Sequence, residues 1–206
     1  MPHVSSVHDV EHAEAIARTI GRRVREGRTG RGWTLDVLAQ RSGVSRRMLV
    51  NVEQGVTNPS IATLLRLADA LGIGLPALVD PADEPGAPVS VTRAGAAAEV
   101  WSSPAGGSAV LVAGTEPPEV TELWDWRLGP ADTYRSDAHR AGTRELLLVL
   151  SGSIELTLAG AAHLLRAGDS AAFEADAPHS YANPSTTQPA RFTLAVHEPN
   201  VGKEPR

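Results

Sequence analysis

Nine residues near the middle of the chain, Asp80 to Pro88, constrain the fold more than any others. They hold three prolines, one glycine and three acids. Proline removes a backbone donor and fixes φ, so neither a helix nor a ladder of strands runs through such a stretch. It is expected to be an extended linker between two folding units. A length of 206 residues accommodates two modest domains. The expected division is a flexible tail over 1–14, a first unit over 15–80, a linker over 81–88, a second unit over 89–200 and a short tail over 201–206.

The hydrophobic period changes across that linker. Before it the pattern is helical. Ile16, Ile20, Arg23 and Val24 share a face of a first helix ending near Gly27 to Gly32, and Thr34 is placed to cap Leu35 to Arg41. Gly43 supplies a turn and Ser45 caps Arg46 to Gln54. Ser60 caps a helix whose apolar face is Ile61, Leu64, Leu65, Ala68 and Leu71, and a last short turn covers Leu75 to Val79. After the linker the period is two. Strands are expected at Val110–Val112, Val120–Leu128, Glu145–Leu150, Ile154–Leu158, Ala162–Arg166 and Phe192–Val196, separated by turn signals such as Gly129-Pro130 and Gly168-Asp169. Short strands without intervening helices make a sandwich or small barrel.

Composition narrows the function classes. With 42% hydrophobic and 21% charged residues the chain is globular rather than disordered. No run approaches the ~18 apolar residues of a spanning helix. The first residues lack the apolar stretch of a secretion signal, so a cytoplasmic location is expected. There is no cysteine, hence no disulfide, thiol nucleophile or thiolate ligand. The net charge of -5 is unevenly spread. Ala15 to Asp80 holds ten arginines against five acids, a net +5, whereas Pro81 to Arg206 is net -7. A basic first third on an acidic chain points to a polyanion as the partner of that part alone.

Two short helices joined by Ser42-Gly43-Val44 describe a helix-turn-helix, whose second helix enters a major groove. In the helix after Ser45, Leu49 and Val52 face inward and Arg46, Arg47, Val50 and Asn51 face outward. Arginine can grip guanine and asparagine adenine through paired hydrogen bonds. The stretch Thr34 to Ser60 resembles the motif of the lambda-repressor-like (XRE) DNA-binding family, in a match running from about Ile16 to Val79. The matching residues are Leu38-Ala39, Gly43, Ser45, Glu53, Gly55 and Asn58-Pro59-Ser60. The resemblance implies a five-helix DNA-binding domain. Thr34, Ser45, Arg46, Arg47 and Asn51 would then lie against DNA, with Thr57 and Asn58 near phosphates. Leu35 stands where the family often has glutamine, so the contact that glutamine makes is not expected here.

The second unit resembles the cupin barrel. Gly168 to Asn183 keeps that family's leading glycine, His179 and Asn183, with Glu174 and Asp176 where proline and glycine are usual. His139-Arg140-Ala141-Gly142-Thr143-Arg144-Glu145 followed by Gly152 matches the first motif, except that Ala141 replaces a second histidine. The resemblance implies an all-β jelly-roll, making the whole chain a two-domain α+β protein. It leaves His139, Glu145 and His179 as the ligands for a divalent transition metal, with Asp137 as a conceivable substitute for the missing group. The same histidines serve equally as hydrogen-bonding groups for an organic ligand. Trp124, Trp126, His139, Arg144, Glu145, Phe173, His179 and Tyr181 together have the make-up of an apolar pocket with a few polar groups. Any one of the tryptophans can instead be a core or interface residue.

These readings combine into a transcription regulator. A helix-turn-helix reader binds a pseudo-palindromic double-stranded operator as a homodimer, and a cupin sensor responds to a small-molecule effector. Two alternatives stay open, a metal-dependent cupin enzyme with a DNA-binding appendage and an antitoxin-type regulator with a protein partner.

Overall fold

The computed structural model describes residues 5–79 and 89–203. The expected linker therefore lies outside the described residues. Contacts divide the chain into two compact units, one helical and one, Thr92–Val201, built of strands.

The helical unit has five helices: α1 Ser5–Gly30, α2 Leu35–Ser42, α3 Arg46–Glu53, α4 Ile61–Leu71 and α5 Leu75–Val79. The tail expected over 1–14 needs correction, because α1 already begins at Ser5. No glycine or proline interrupts Ser5 to Ile20. A helix already nucleated by its buried half gains one hydrogen bond for each further residue it fixes. Ile16, Ile20 and Val24 form the buried stripe of α1 at four-residue spacing. Gly21 belongs to that stripe by necessity: a Cβ there would lie 2.4 Å from the Val52 carbonyl of α3. Arg28 holds the same two helices together, its Nε and Nη2 donating to Glu53 at 2.6 and 2.8 Å while Nη1 donates to the Trp33 carbonyl. The Trp33 ring is flanked by the Arg31 and Arg41 guanidinium groups, 5.7 and 4.5 Å from its centre.

The β-unit has ten strands: β1 Ala98–Ser102, β2 Ser108–Gly114, β3 Val120–Leu128, β4 Thr133–Ser136, β5 Arg144–Ser151, β6 Ser153–Leu158, β7 Ala161–Arg166, β8 Ser170–Glu174, β9 His179–Ala182 and β10 Ala190–Glu198. One sheet runs β1-β2-β3-β10-β5-β8 and the other β4-β9-β6-β7. Every pairing is antiparallel. Their inner faces meet through aromatic side chains. Trp126 of the larger sheet lies 4.7 Å from Tyr134 and 6.1 Å from Tyr181 of the smaller, and stacks on Phe192 at 5.8 Å. Asn183, just after β9, closes one end. Its buried amide donates to the carbonyls of Leu128, Gly129 and Gln188, and its oxygen accepts from Ser185 N–H. One asparagine thus satisfies backbone groups at the end of β3 and in the two loops beside it.

Candidate functional site

The helical unit carries its polar groups outward. Thr34 and Ser45 cap α2 and α3, their hydroxyl oxygens accepting from Val37 and Met48 N–H, both at 3.2 Å. Gly43, at φ 65°, turns the chain between the two helices in the left-handed region that favours glycine. Leu49 and Val52 plug α3 into the core. Arg46 and Arg47 stand exposed on the first turn of α3, with Asn51 half-buried one turn on. Thr57 is half-buried and Asn58 exposed in the following loop. Arg46 also has a partner that sequence spacing did not suggest: its Nε lies 3.2 Å from Asp36 Oδ1 at the start of α2. A contact through Nε leaves the two terminal nitrogens of the guanidinium free to form a fork.

The β-unit carries its polar groups inward. Strand alternation and register set one row of the larger sheet's inner face: Glu122 of β3 pairs with Val196 of β10, which pairs with Glu145 of β5, which pairs with Phe173 of β8. Glu145 is the centre of a polar cluster. Its Oε1 lies 3.1 Å from His139 Nε2 and 3.4 Å from His179 Nε2, and its Oε2 accepts from Tyr181 OH. Burial would raise the Glu145 carboxyl, but the two imidazoles outweigh it and hold the group down at about 2. Tyr181 is pushed well above the usual phenol range, by burial first and then by the Glu145 charge, so its hydroxyl stays protonated and donates. Burial lowers the His179 imidazole and Glu145 raises it, with a net rise.

His179 Nδ1 sits 2.9 Å from the Ala177 carbonyl, an acceptor only, so this nitrogen carries the proton. That leaves Nε2, buried and without hydrogen-bond geometry to any partner, turned towards a carboxylate oxygen. Two nitrogens and a carboxylate oxygen converging in this way require a cation among them, either a proton or a metal. The three ligand atoms lie within 4.8 Å of one another and so fit a divalent transition ion with open positions. No fourth ligand joins them among the described residues: Ala141 is exposed in a turn, and Asp137 is exposed just after β4.

Trp124 and Trp126 are buried on the inner face, and Trp124 Nε1 donates to Glu122 Oε2 at 2.9 Å. Phe173 meets His179 edge-on at 5.7 Å. Arg144, expected among the pocket groups, has to be corrected. It precedes inward-facing Glu145, so the pleat turns it to the outer face, where it is exposed and 3.9 Å from Glu174. Conversely, Glu122, which alternation places on the same face of β3 as Trp124 and Trp126, was not counted among the expected site residues. Burial, then the Glu198 charge and to a smaller extent Glu145, push it up to about 8 against the Trp124 hydrogen bond, and its Oε1 has no partner. Its two-residue spacing from Trp124 on one face of β3 was the available signal.

A helix-turn-helix family model matches residues 24–78 and a cupin-domain model matches residues 124–197. The HTH-type transcriptional regulator SutR of Escherichia coli (strain K12) is 27% identical over 186 residues, spanning 90% of this chain and 98% of SutR. The uncharacterized HTH-type transcriptional regulator y4dJ of Sinorhizobium fredii is 37% identical over 69 residues, spanning 34% of this chain and 90% of y4dJ. The crystal structure of an HTH_3 family transcriptional regulator from Vibrio cholerae superposes with a TM-score of 0.65 at 24% identity, over 91% of this chain and 99% of that one.

Proposed function

This chain belongs to the XRE-type helix-turn-helix transcriptional regulators, here with a C-terminal cupin domain, and we propose that the cupin domain is a sensor whose occupancy sets the DNA affinity of the helical unit. The observation that carries this reading is a division of labour. Exposed Arg46, Arg47 and half-buried Asn51 stand on a capped helix in one unit, while a buried cluster with an unpaired nitrogen stands in the other. Arg46 and Arg47 reach guanine edges and Asn51 reaches adenine. Thr34, Ser45, Thr57 and Asn58 touch the backbone beside them. Two such helices in a homodimer, about one helical turn apart, read a pseudo-palindrome.

In the β-unit His139, Glu145 and His179 would hold a divalent transition metal. When bound, the metal supplies a Lewis-acid centre with open positions for oxygen or nitrogen atoms of a small molecule. Tyr181 orients Glu145 through its hydrogen bond, and the Ala177 carbonyl fixes the His179 tautomer. Trp124, Trp126 and Phe173 pack apolar rings beside these groups. An effector shifts DNA affinity only by its preference for one of two arrangements of the protein.

Binding-site selection from random duplexes, repeated after chelation and after adding back each metal, tests this reading. The expected result is an enriched palindrome whose affinity changes with occupancy. Unchanged affinity across all loadings and candidate small molecules would overturn the sensor role. The same triad supports a metal-dependent enzyme, the reading that would gain if the loaded protein consumed a bound compound catalytically.

A further inference from the structure

The outer face of the larger sheet carries four exposed leucines, where the outer face of the smaller one carries a single one, Leu164. Residues opposite one another on neighbouring strands share a face, so Leu123 of β3, Ala195 of β10, Leu146 of β5 and Ala172 of β8 form one outward row. The next row is Val110, Asp125, Thr193, Leu148 and Ser170. Leu150 lies beyond it on β5. The four leucines are conspicuously open: Leu123 is 44% exposed, Leu146 59%, Leu148 41% and Leu150 46%. On the smaller sheet the corresponding rows carry Thr133, Ala182, Glu155 and Leu164, then Arg135, Ser180, Thr157 and Ala162. Contiguous exposed leucines of this kind on one face mark an interaction surface.

The rim identifies what covers it. At one end stand Arg144, Glu174 and Glu119. At the other, Arg191 donates to Asp125 at 2.9 and 2.8 Å, with Arg127 beside it. The rim thus carries three cations against three anions around an apolar centre. A surface balanced in both signs suits neither a nucleic acid nor an anionic membrane, but it is complementary to itself across a two-fold axis. Five strands ~4.8 Å apart and seven residues along β3 make a face roughly 20 Å on a side, about 400 Å² in plan, the scale of a small interface rather than of a large obligate one.

We infer that the outer face of the larger sheet, centred on Leu146 and Leu148 with Leu123 and Leu150, is the surface through which two copies of this chain dimerise. The inference rests on the regulator reading only in the need for two reading helices. It gives that need a location, in the β-unit.

Sedimentation of the full chain across a dilution series tests it, with a half-site and a full palindrome as DNA probes. Wild type should run at twice 21.6 kDa. Leu146→Glu with Leu148→Glu should raise the dimer dissociation constant at least ~100-fold, because each copy then buries two unpaired carboxylates at the interface centre. Leu164→Glu, on exposed β7 of the other sheet, should leave the dimer intact. If the glutamates disturb folding, Leu146→Thr with Leu148→Thr keeps strand propensity and should still weaken the dimer ~10-fold by lost apolar burial. The folded monomeric variant should bind a half-site as wild type does and lose its preference for the palindrome. A wild type that stays monomeric while binding DNA, or a dimer indifferent to both leucine pairs, overturns the interface and leaves the regulator reading standing. A folded, leucine-dependent dimer that ignores every duplex upholds the interface and overturns the regulator reading instead.

Discussion

The two units invert each other. The helical unit keeps Ile, Leu and Val inside and the two arginines that open α3 outside, so those arginines do little to hold the fold. The β-unit buries Glu122, Glu145, His179 and Glu198 and leaves leucines on its surface. There, the groups with chemistry are also structural, since each buried charge must be matched by neighbours. Function and stability are therefore separable in the first unit and coupled in the second.

The largest effect that would break this contrast belongs to Glu145. Glu145→Ala takes the acceptor from Tyr181 and the counter-charge from His139 and His179, a loss of ~3–5 kcal/mol for a buried network missing one member. Thermal unfolding should show the drop. A variant as stable as wild type would mean that the cluster is not structural.

The next effect is the pH dependence from Glu122. Its carboxyl is raised from 4.5 to about 8, so the folded state holds a proton that the unfolded chain has released. The groups facing it are Glu198 of β10, Glu145 of β5 and Trp124 of its own strand. Its stabilisation is full below about 4.5 and is lost as pH rises through about 8. A shift of that size corresponds to on the order of a few kcal/mol. Glu145 acts in the opposite direction: lowered to about 2, it contributes above about 4.5 and its contribution is lost as the solution is acidified through about 2. Denaturant titrations between pH 5 and 8 should thus show a falling arm that Glu122→Gln flattens; an unchanged slope in the variant would refute the assignment.

In the helical unit the same logic predicts a split. Arg47→Ala should cost ~1–3 kcal/mol of specific DNA binding per site by anisotropy titration, and under ~0.5 kcal/mol of stability as an exposed residue. The smallest effect is Asp36→Ala. An exposed ion pair with Arg46 is worth ~0.2–1 kcal/mol, so stability should barely move while base preference at the Arg46 position broadens in a selection experiment. A large stability loss from either change would erase the contrast.

Much of this architecture was legible because the signals are local. Thr34, Ser45 and Ser60 announce helix starts, Gly43 a turn, and the alternation of β3 and β5 survives in single-residue steps. The elements that were not expected lack such marks. In β8 most side chains are small or exposed, as befits an edge strand. The four residues of β9 are His, Ser, Tyr and Ala, which read as polar although His179 and Tyr181 are buried. β4 is a half-buried strand of four residues, and β1 emerges from an alanine-rich run. In the site, His139, Glu145, His179 and Tyr181 were identified by resemblance and composition, and the structure brings them together. The direction of Arg144 follows from the pleat, given that Glu145 points inward. The charges that face Glu122 come from strands distant along the chain, and the Asp36–Arg46 contact from the angle between two helices, which no local pattern encodes.

The setting of Trp33 has an optical consequence. Of four tryptophans, Trp101, Trp124 and Trp126 crowd together in the barrel, while Trp33 alone serves the reading unit, between two guanidinium groups. Any phosphate that draws Arg31 or Arg41 away alters the field on a single indole. The emission of Trp33 is therefore separable from that of the barrel, and Trp33→Phe leaves the barrel's three tryptophans as a channel of their own.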